Sequence, residues 1–185
     1  MRRIGPSLLL VFTLVFEMHL VAQSKNMCAN ALPSEAKLLV NKTFPGWRLK
    51  QTSDLVGYDR ELWRKAHPRE CPGIAIGHFE SPDQTAYGLL LVPDSGAETG
   101  YKLVVLSKAS TADRFSTRVL DRAEGQPGVG SGLVISRVPP GEYSGFDSTQ
   151  SVKVKLDAVE AEWIEKSSVL YFWKNGKYRT LQTSD

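Results

Sequence analysis

Val169-Leu170-Tyr171-Phe172-Trp173-Lys174-Asn175-Gly176-Lys177-Tyr178-Arg179-Thr180-Leu181 is the stretch that decides the fold class. Two runs rich in aromatic and branched residues flank Asn-Gly, the pair that best tolerates positive φ at both central positions of a tight antiparallel turn. A hairpin is therefore expected over these residues. Moving toward the N-terminus, Val152, Val154 and Leu156 alternate with Lys153 and Lys155, the two-residue period of a half-buried strand. Val159, Ala161 and Trp163 keep that period, although 158–164 also holds enough Ala and Glu for a helical turn.

Further upstream, Leu133 to Val138 is an apolar run closed by Pro139-Pro140-Gly141, and the glycine-rich residues 125–132 before it read as a flexible connection. Ile74 to Phe79 and Tyr87 to Val92 are separated by Ser81-Pro82-Asp83 and read as a second hairpin. Tyr101 to Leu106 is another strand, set off by Asp94-Ser95-Gly96, and Phe115 to Leu120 is a weaker one.

Before Cys71 the period changes to that of helices. Pro33 suits a first helical turn, and Ala36, Leu39, Val40, Thr43 and Phe44 follow on one face until Pro45-Gly46. Tyr58, Leu62 and Ala66 mark a second helix, stopped by Pro68, with Leu62-Trp63 widening its apolar face. The chain is thus expected to be α+β: two N-terminal helices followed by a mainly antiparallel β-sheet of about six to eight strands.

Residues 1–24 have the order of a secretory signal peptide: Arg2 and Arg3, the apolar run Leu8 to Phe16 broken only by Thr13, then small residues at Ala22 and Ser24. Cleavage is expected after Ser24, with Ala22 as the alternative. Glu17 and His19 interrupt the run well short of the roughly 20 apolar residues that a spanning helix needs, so no stable membrane insertion is expected after cleavage. Residues 25–185 are then a single globular domain, secreted or periplasmic.

The formal net charge is +3, and loss of Arg2, Arg3 and Glu17 with the signal leaves +2, a balance that points away from nucleic acid. Cys28 and Cys71 are the only cysteines, and an even count in an exported chain reads as one disulfide.

Sequence motifs for catalysis are weak. Residues 125–132 lack the Gly-Lys-Ser/Thr ending of a phosphate loop, and Val129 and Leu133 occupy the glycine positions of a nucleophile elbow around Ser131. His67 and His78 stand eleven apart, and Asp59, Glu61 and Glu70 fall on different presumed elements, so neither a metal nor another cofactor is expected. Glu160, Glu162 and Glu165 are candidate acid and base carboxylates, but on a strand Glu160 and Glu162 share one face and read as a solvated edge.

Of Trp47, Trp63, Trp163 and Trp173, most are expected in the core. Trp63 lies off the Tyr58-Leu62-Ala66 line and is the candidate partner-binding residue. Asn41-Lys42-Thr43 matches the N-glycosylation sequon, within the first predicted helix.

Gly73-Ile74-Ala75-Ile76-Gly77-His78-Phe79-Glu80-Ser81-Pro82-Asp83, followed by the apolar run from Ala86, resembles the calcium-loop phrase of FG-GAP and VCBS-type extracellular proteins. Gly77 and Phe79 match that phrase, whereas His78, Glu80, Ser81 and Pro82 stand at ligand and turn positions. As a whole the chain resembles small exported bacterial proteins, with Phe44-Pro45-Gly46-Trp47, Cys71-Pro72-Gly73 and the closing aromatic hairpin. These resemblances imply an envelope or secreted location and no activity.

The functional expectation is a non-enzymatic exported domain that binds another protein or an envelope component through a sheet face or the helix carrying Trp63. The competing readings are a small extracellular hydrolase whose site is assembled only in the fold, and a calcium-stabilised structural domain.

Overall fold

The computed structural model describes residues 27–94, 99–108, 114–125, 130–147 and 149–185; the expected signal segment lies outside them. A helical turn, α1 (Met27–Asn30), precedes two longer helices, α2 (Ser34–Thr43) and α3 (Gly57–Ala66). The strands are β1 (Trp47–Leu49), β2 (Ile74–Gly77), β3 (Ala86–Pro93), β4 (Gly100–Lys108), β5 (Phe115–Glu124) and β6 (Leu133–Val138). They continue with β7 (Gly141–Ser144), β8 (Ser151–Val154), β9 (Ala158–Trp163), β10 (Ser167–Lys174) and β11 (Lys177–Ser184).

Every ladder is antiparallel. The first sheet runs β1-β3-β4-β5, with β2 sharing the β3 edge that β1 uses; the second runs β11-β10-β9-β6; β7 and β8 form a separate ribbon. The α+β expectation holds in outline, but the single sheet of six to eight strands is corrected to eleven strands in three sheets among the described residues. Pairing partners are a long-range property that local alternation does not encode. The additional strands, β1 and β7, span only three and four residues, too few to show a period.

The closing hairpin forms as expected. Lys174 pairs with Lys177, and Asn175 and Gly176 take φ of 53° and 77°. Residues 158–163 are strand and not helix.

The two large sheets pack face to face around Phe79, Leu90, Leu103, Val105, Leu133, Ile135 and Val159. The outer face of the first sheet, Leu89, Leu91, Val104 and Leu106, is covered by Ala36, Val40 and Phe44 of α2 and the residue after it. The outer face of the second sheet is covered at one end by the β7–β8 ribbon, over Leu170, Phe172 and Leu181, and at the other by α3. Each such side chain contributes roughly 1.5–3 kcal/mol when fully buried, so the helices serve as covers on a sandwich.

α3 corrects the expected site. Trp63 is 3% exposed and packs with Leu55, Val134 and Ile164, whereas Tyr58 is 61% exposed. The buried stripe runs through Asp59, Trp63 and His67, one residue around the helix from the predicted line, because the bulk of the indole and not the Tyr58-Leu62-Ala66 spacing fills the space above Val134. Trp63 is a core residue and offers no surface to a partner. Trp47, Trp163 and Trp173 are only half-buried.

The sheets meet along one corner, where β2 lies beside β6. There Ile135 N–H donates to Pro72 O at 2.9 Å, and within the first sheet Lys50 N–H continues the β1–β3 ladder by donating to Leu90 O at 2.9 Å. At the opposite corner Tyr101 and Tyr171, from facing sheets, both donate to Asp121 Oδ2, at 2.9 and 3.0 Å. Arg118 of β5 lies 5.2 Å from the Trp173 ring of β10.

Candidate functional site

The β2–β6 corner carries a cleft of about 340 Å³. Its floor is β2, where the period puts Ala75 in the inter-sheet core and turns Ile76 outward, 43% exposed. Its rim is the turn Arg69-Glu70-Cys71 together with Ala31, and its far wall is Arg137 of β6. The disulfide assembles the rim: Cys28 and Cys71 are bonded with their Cα atoms 5.3 Å apart, which places α1 beside the start of β2.

Two arginines face this space. Arg137 Nη1 donates to Asp157 Oδ1 at 3.0 Å, while its side chain remains 51% exposed. Asp157 is buried and its second oxygen accepts from His78 N–H at 2.8 Å, so it orients Arg137 and fixes the end of β2 together. Gly77 is required there, since a Cβ would lie 2.8 Å from Asp157 Oδ2. Arg69 is exposed and enters no ion pair among the described residues. Glu70, also on the rim, is turned to His67 at 3.1 Å.

Behind the cleft, Lys50 is buried, 1% exposed. Its Nζ donates to the carbonyls of Gly130 and, at 2.8 Å, Ser131, so the described end of the glycine-rich segment is anchored and not a free connection. Burial pushes the amine down to about 8, opposed by the charges of Asp54 and Asp59 and reinforced by Arg48. The unfolded chain therefore binds more protons than the folded one between about pH 8 and the ordinary lysine value of 10.5. Stability must rise with pH from about 8 toward 10, where Lys50 alone sets the sign. Above about pH 10 the sign reverses, because Tyr101, Tyr171 and Tyr178 are all raised, chiefly by burial, and ionise more readily in the unfolded chain.

Urea unfolding at stepped pH is accordingly expected to show a gain of about 2 kcal/mol from pH 7 to 9.5, then a fall. The gain should be missing in Lys50→Met. A wild-type midpoint that is flat over pH 7–9.5 would refute this account of Lys50.

The sequence-predicted carboxylates divide. Glu160 and Glu162 share the outer face of the second sheet and are half-buried, which corrects the expectation of a solvated edge. The Glu160 carboxyl is raised by burial and by the charge of Glu162, against hydrogen bonds from Ser168, Thr183 and Ser136. Glu165 stands apart, exposed in the β9–β10 turn with φ of 57°.

Other sequence candidates are placed singly. His67 stacks on Trp63 with ring centroids 4.1 Å apart, and His78 is an exposed residue after β2. Asn41 is exposed near the end of α2. In the segment resembling a calcium loop, Glu80 accepts from Ser107 Oγ at 2.9 Å and Arg118 Nε at 3.1 Å, so its carboxylate is held by one hydroxyl and one guanidinium of the first sheet. Among the described residues no three His, Cys, Asp or Glu side chains converge in a way that would hold a metal.

Sequence reasoning passed over Lys50, Arg69, Ile76, Arg137 and Asp157. Comparisons with family models, with curated proteins and with solved structures find no match for this chain.

Proposed function

We propose that this is an exported, non-enzymatic binding protein that holds an anionic ligand in the cleft at the β2–β6 corner. The observation that carries the reading is that exposed Ile76, Arg69 and Arg137 line one recess of about 340 Å³. An apolar floor with a few convergent polar groups is the usual make-up of a ligand site, and guanidinium forks suit carboxylates and phosphates. The Cys28–Cys71 bond that builds the rim suits an oxidising compartment, and no described helix is long and apolar enough to cross a membrane.

The test is calorimetric titration of the oxidised protein with acidic peptides and with the same peptides amidated to neutrality. The acidic set should bind and weaken with added salt, and Arg69→Ala should cost at least about tenfold, the equivalent of one charge-assisted hydrogen bond. Arg69 is the cleaner variant, since loss of Arg137 would also strip buried Asp157 of its cation. Equal binding of charged and neutral sets would overturn the proposal. The second reading, an extracellular hydrolase, is favoured by one observation, the raised Glu160 carboxyl beside Glu162, the pattern of an acid set next to a charged neighbour.

A further inference from the structure

We infer that the occupant of this cleft is the carboxyl end of an extended polypeptide, added as a short strand along β2; the inference rests on the anionic-ligand reading above. It comes from the direction of the backbone groups. Within an antiparallel pair, residues alternate between bonding the partner strand and pointing away from it. Leu90 N–H donates to Gly73 O at 2.9 Å, so in the register Ala75↔Gly88 and Gly77↔Ala86 it is Ala75 and Gly77 that bond β3. Ile76 turns its N–H and C=O the other way, toward the cleft.

Three of the neighbouring outward groups are already used. Ile74 N–H donates to Cys71 O at 3.1 Å and Ile135 N–H to Pro72 O at 2.9 Å. His78 N–H donates to Asp157. The outward N–H and C=O of Ile76 meet no partner among the described residues and stand as a donor and acceptor at an edge, flanked by an exposed apolar side chain. A small free anion would satisfy the arginines but leave this pair to water. An extended chain satisfies both, taking main-chain bonds from Ile76, apolar contact from its side chain and a bidentate grip on its terminal carboxylate from Arg69 and Arg137. Edge-strand addition with carboxylate capture combines two established modes of peptide recognition.

The test uses the oxidised full domain and six probes: the acetylated tetrapeptide Ala-Val-Thr-Val with a free carboxyl end, its C-terminal amide, two free acids N-methylated at alternate residues in either frame, an amidated analogue ending in Asp, and glutarate. The free acid should bind, and the amide and at least one N-methylated frame should each be at least tenfold weaker. The Ile76 amide proton should shift downfield in an isotope-edited spectrum. Glutarate binding as tightly as the peptide, or both N-methylated frames binding like the parent, would overturn strand addition while leaving an anionic ligand in place. An Asp-ended amide equal to the free acid would overturn the assignment to a chain terminus. If neither glutarate nor any peptide binds, the anionic-ligand reading itself fails.

Discussion

Replacement of both cysteines, Cys28→Ser with Cys71→Ser, is expected to lower the unfolding free energy by about 4 kcal/mol. The bond closes a loop across 43 residues of sequence, and the chain entropy removed from the unfolded state grows with the logarithm of that length. Against the 5–15 kcal/mol typical of a domain, the loss is a quarter or more of the total. The inter-sheet core contains neither cysteine, so the double variant should still fold, with α1 and the Arg69-Glu70-Cys71 rim loosened and binding in the cleft reduced along with stability. Urea unfolding of the oxidised and double-serine proteins measures this directly. A difference under about 1 kcal/mol would show that the closure contributes far less than loop entropy requires.

Trp63→Ala should cost a comparable 3–5 kcal/mol, the usual range for truncating a large buried aromatic. The indole fills the space between α3 and the second sheet, against Leu55, Val134 and Ile164. Its Nε1–H is buried and meets no acceptor among the described residues. Trp63→Phe should therefore recover most of the loss, since it restores ring volume without a polar atom to satisfy. Ligand affinity of the folded Trp63→Ala protein should be unchanged, because the indole does not line the cleft. A variant with intact stability and lost partner capture would return Trp63 to the surface role that its sequence position suggested.

The legible parts of this fold are those with local signatures. Asn175-Gly176 fixes its hairpin because few other pairs accept two positive φ values in succession. The two long helices were legible from Pro33, Pro45-Gly46 and Pro68, which mark their ends. Which face of α3 is buried was not, because Leu62-Trp63 and Tyr58-Leu62-Ala66 define overlapping stripes and only the neighbouring Val134 and Ile164 choose between them.

The site was hidden for a related reason. Its parts come from Ala31, the turn at 69–71, β2 and Arg137, and no spacing in the chain links them. Lys50 was equally silent: lysines are rarely fully buried, and nothing adjacent to it foretells carbonyls arriving from 80 and 81 positions away. Glu160 and Glu162 were visible as a pair on one strand face. Their partial burial was not, since it depends on where the flanking covers of the second sheet end.

The corner where β2 meets β6 also sets how the sandwich bears load. Along that edge a covalent bond, a buried ammonium and a peptide hydrogen bond lie within one stretch of the molecule, through Cys71, Lys50 and Pro72. The opposite edge is tied through side chains, Tyr101 and Tyr171 on Asp121 and Arg118 over Trp173. Of these ties only the Lys50 and Pro72 bonds cross toward β6, since the disulfide joins α1 to the start of β2 on the first sheet's outer face. Parting the sheets would thus be opposed by hydrogen bonds to main-chain carbonyls at one edge and by side-chain contacts at the other. The proposed ligand would sit beside the edge that main-chain carbonyls tie together.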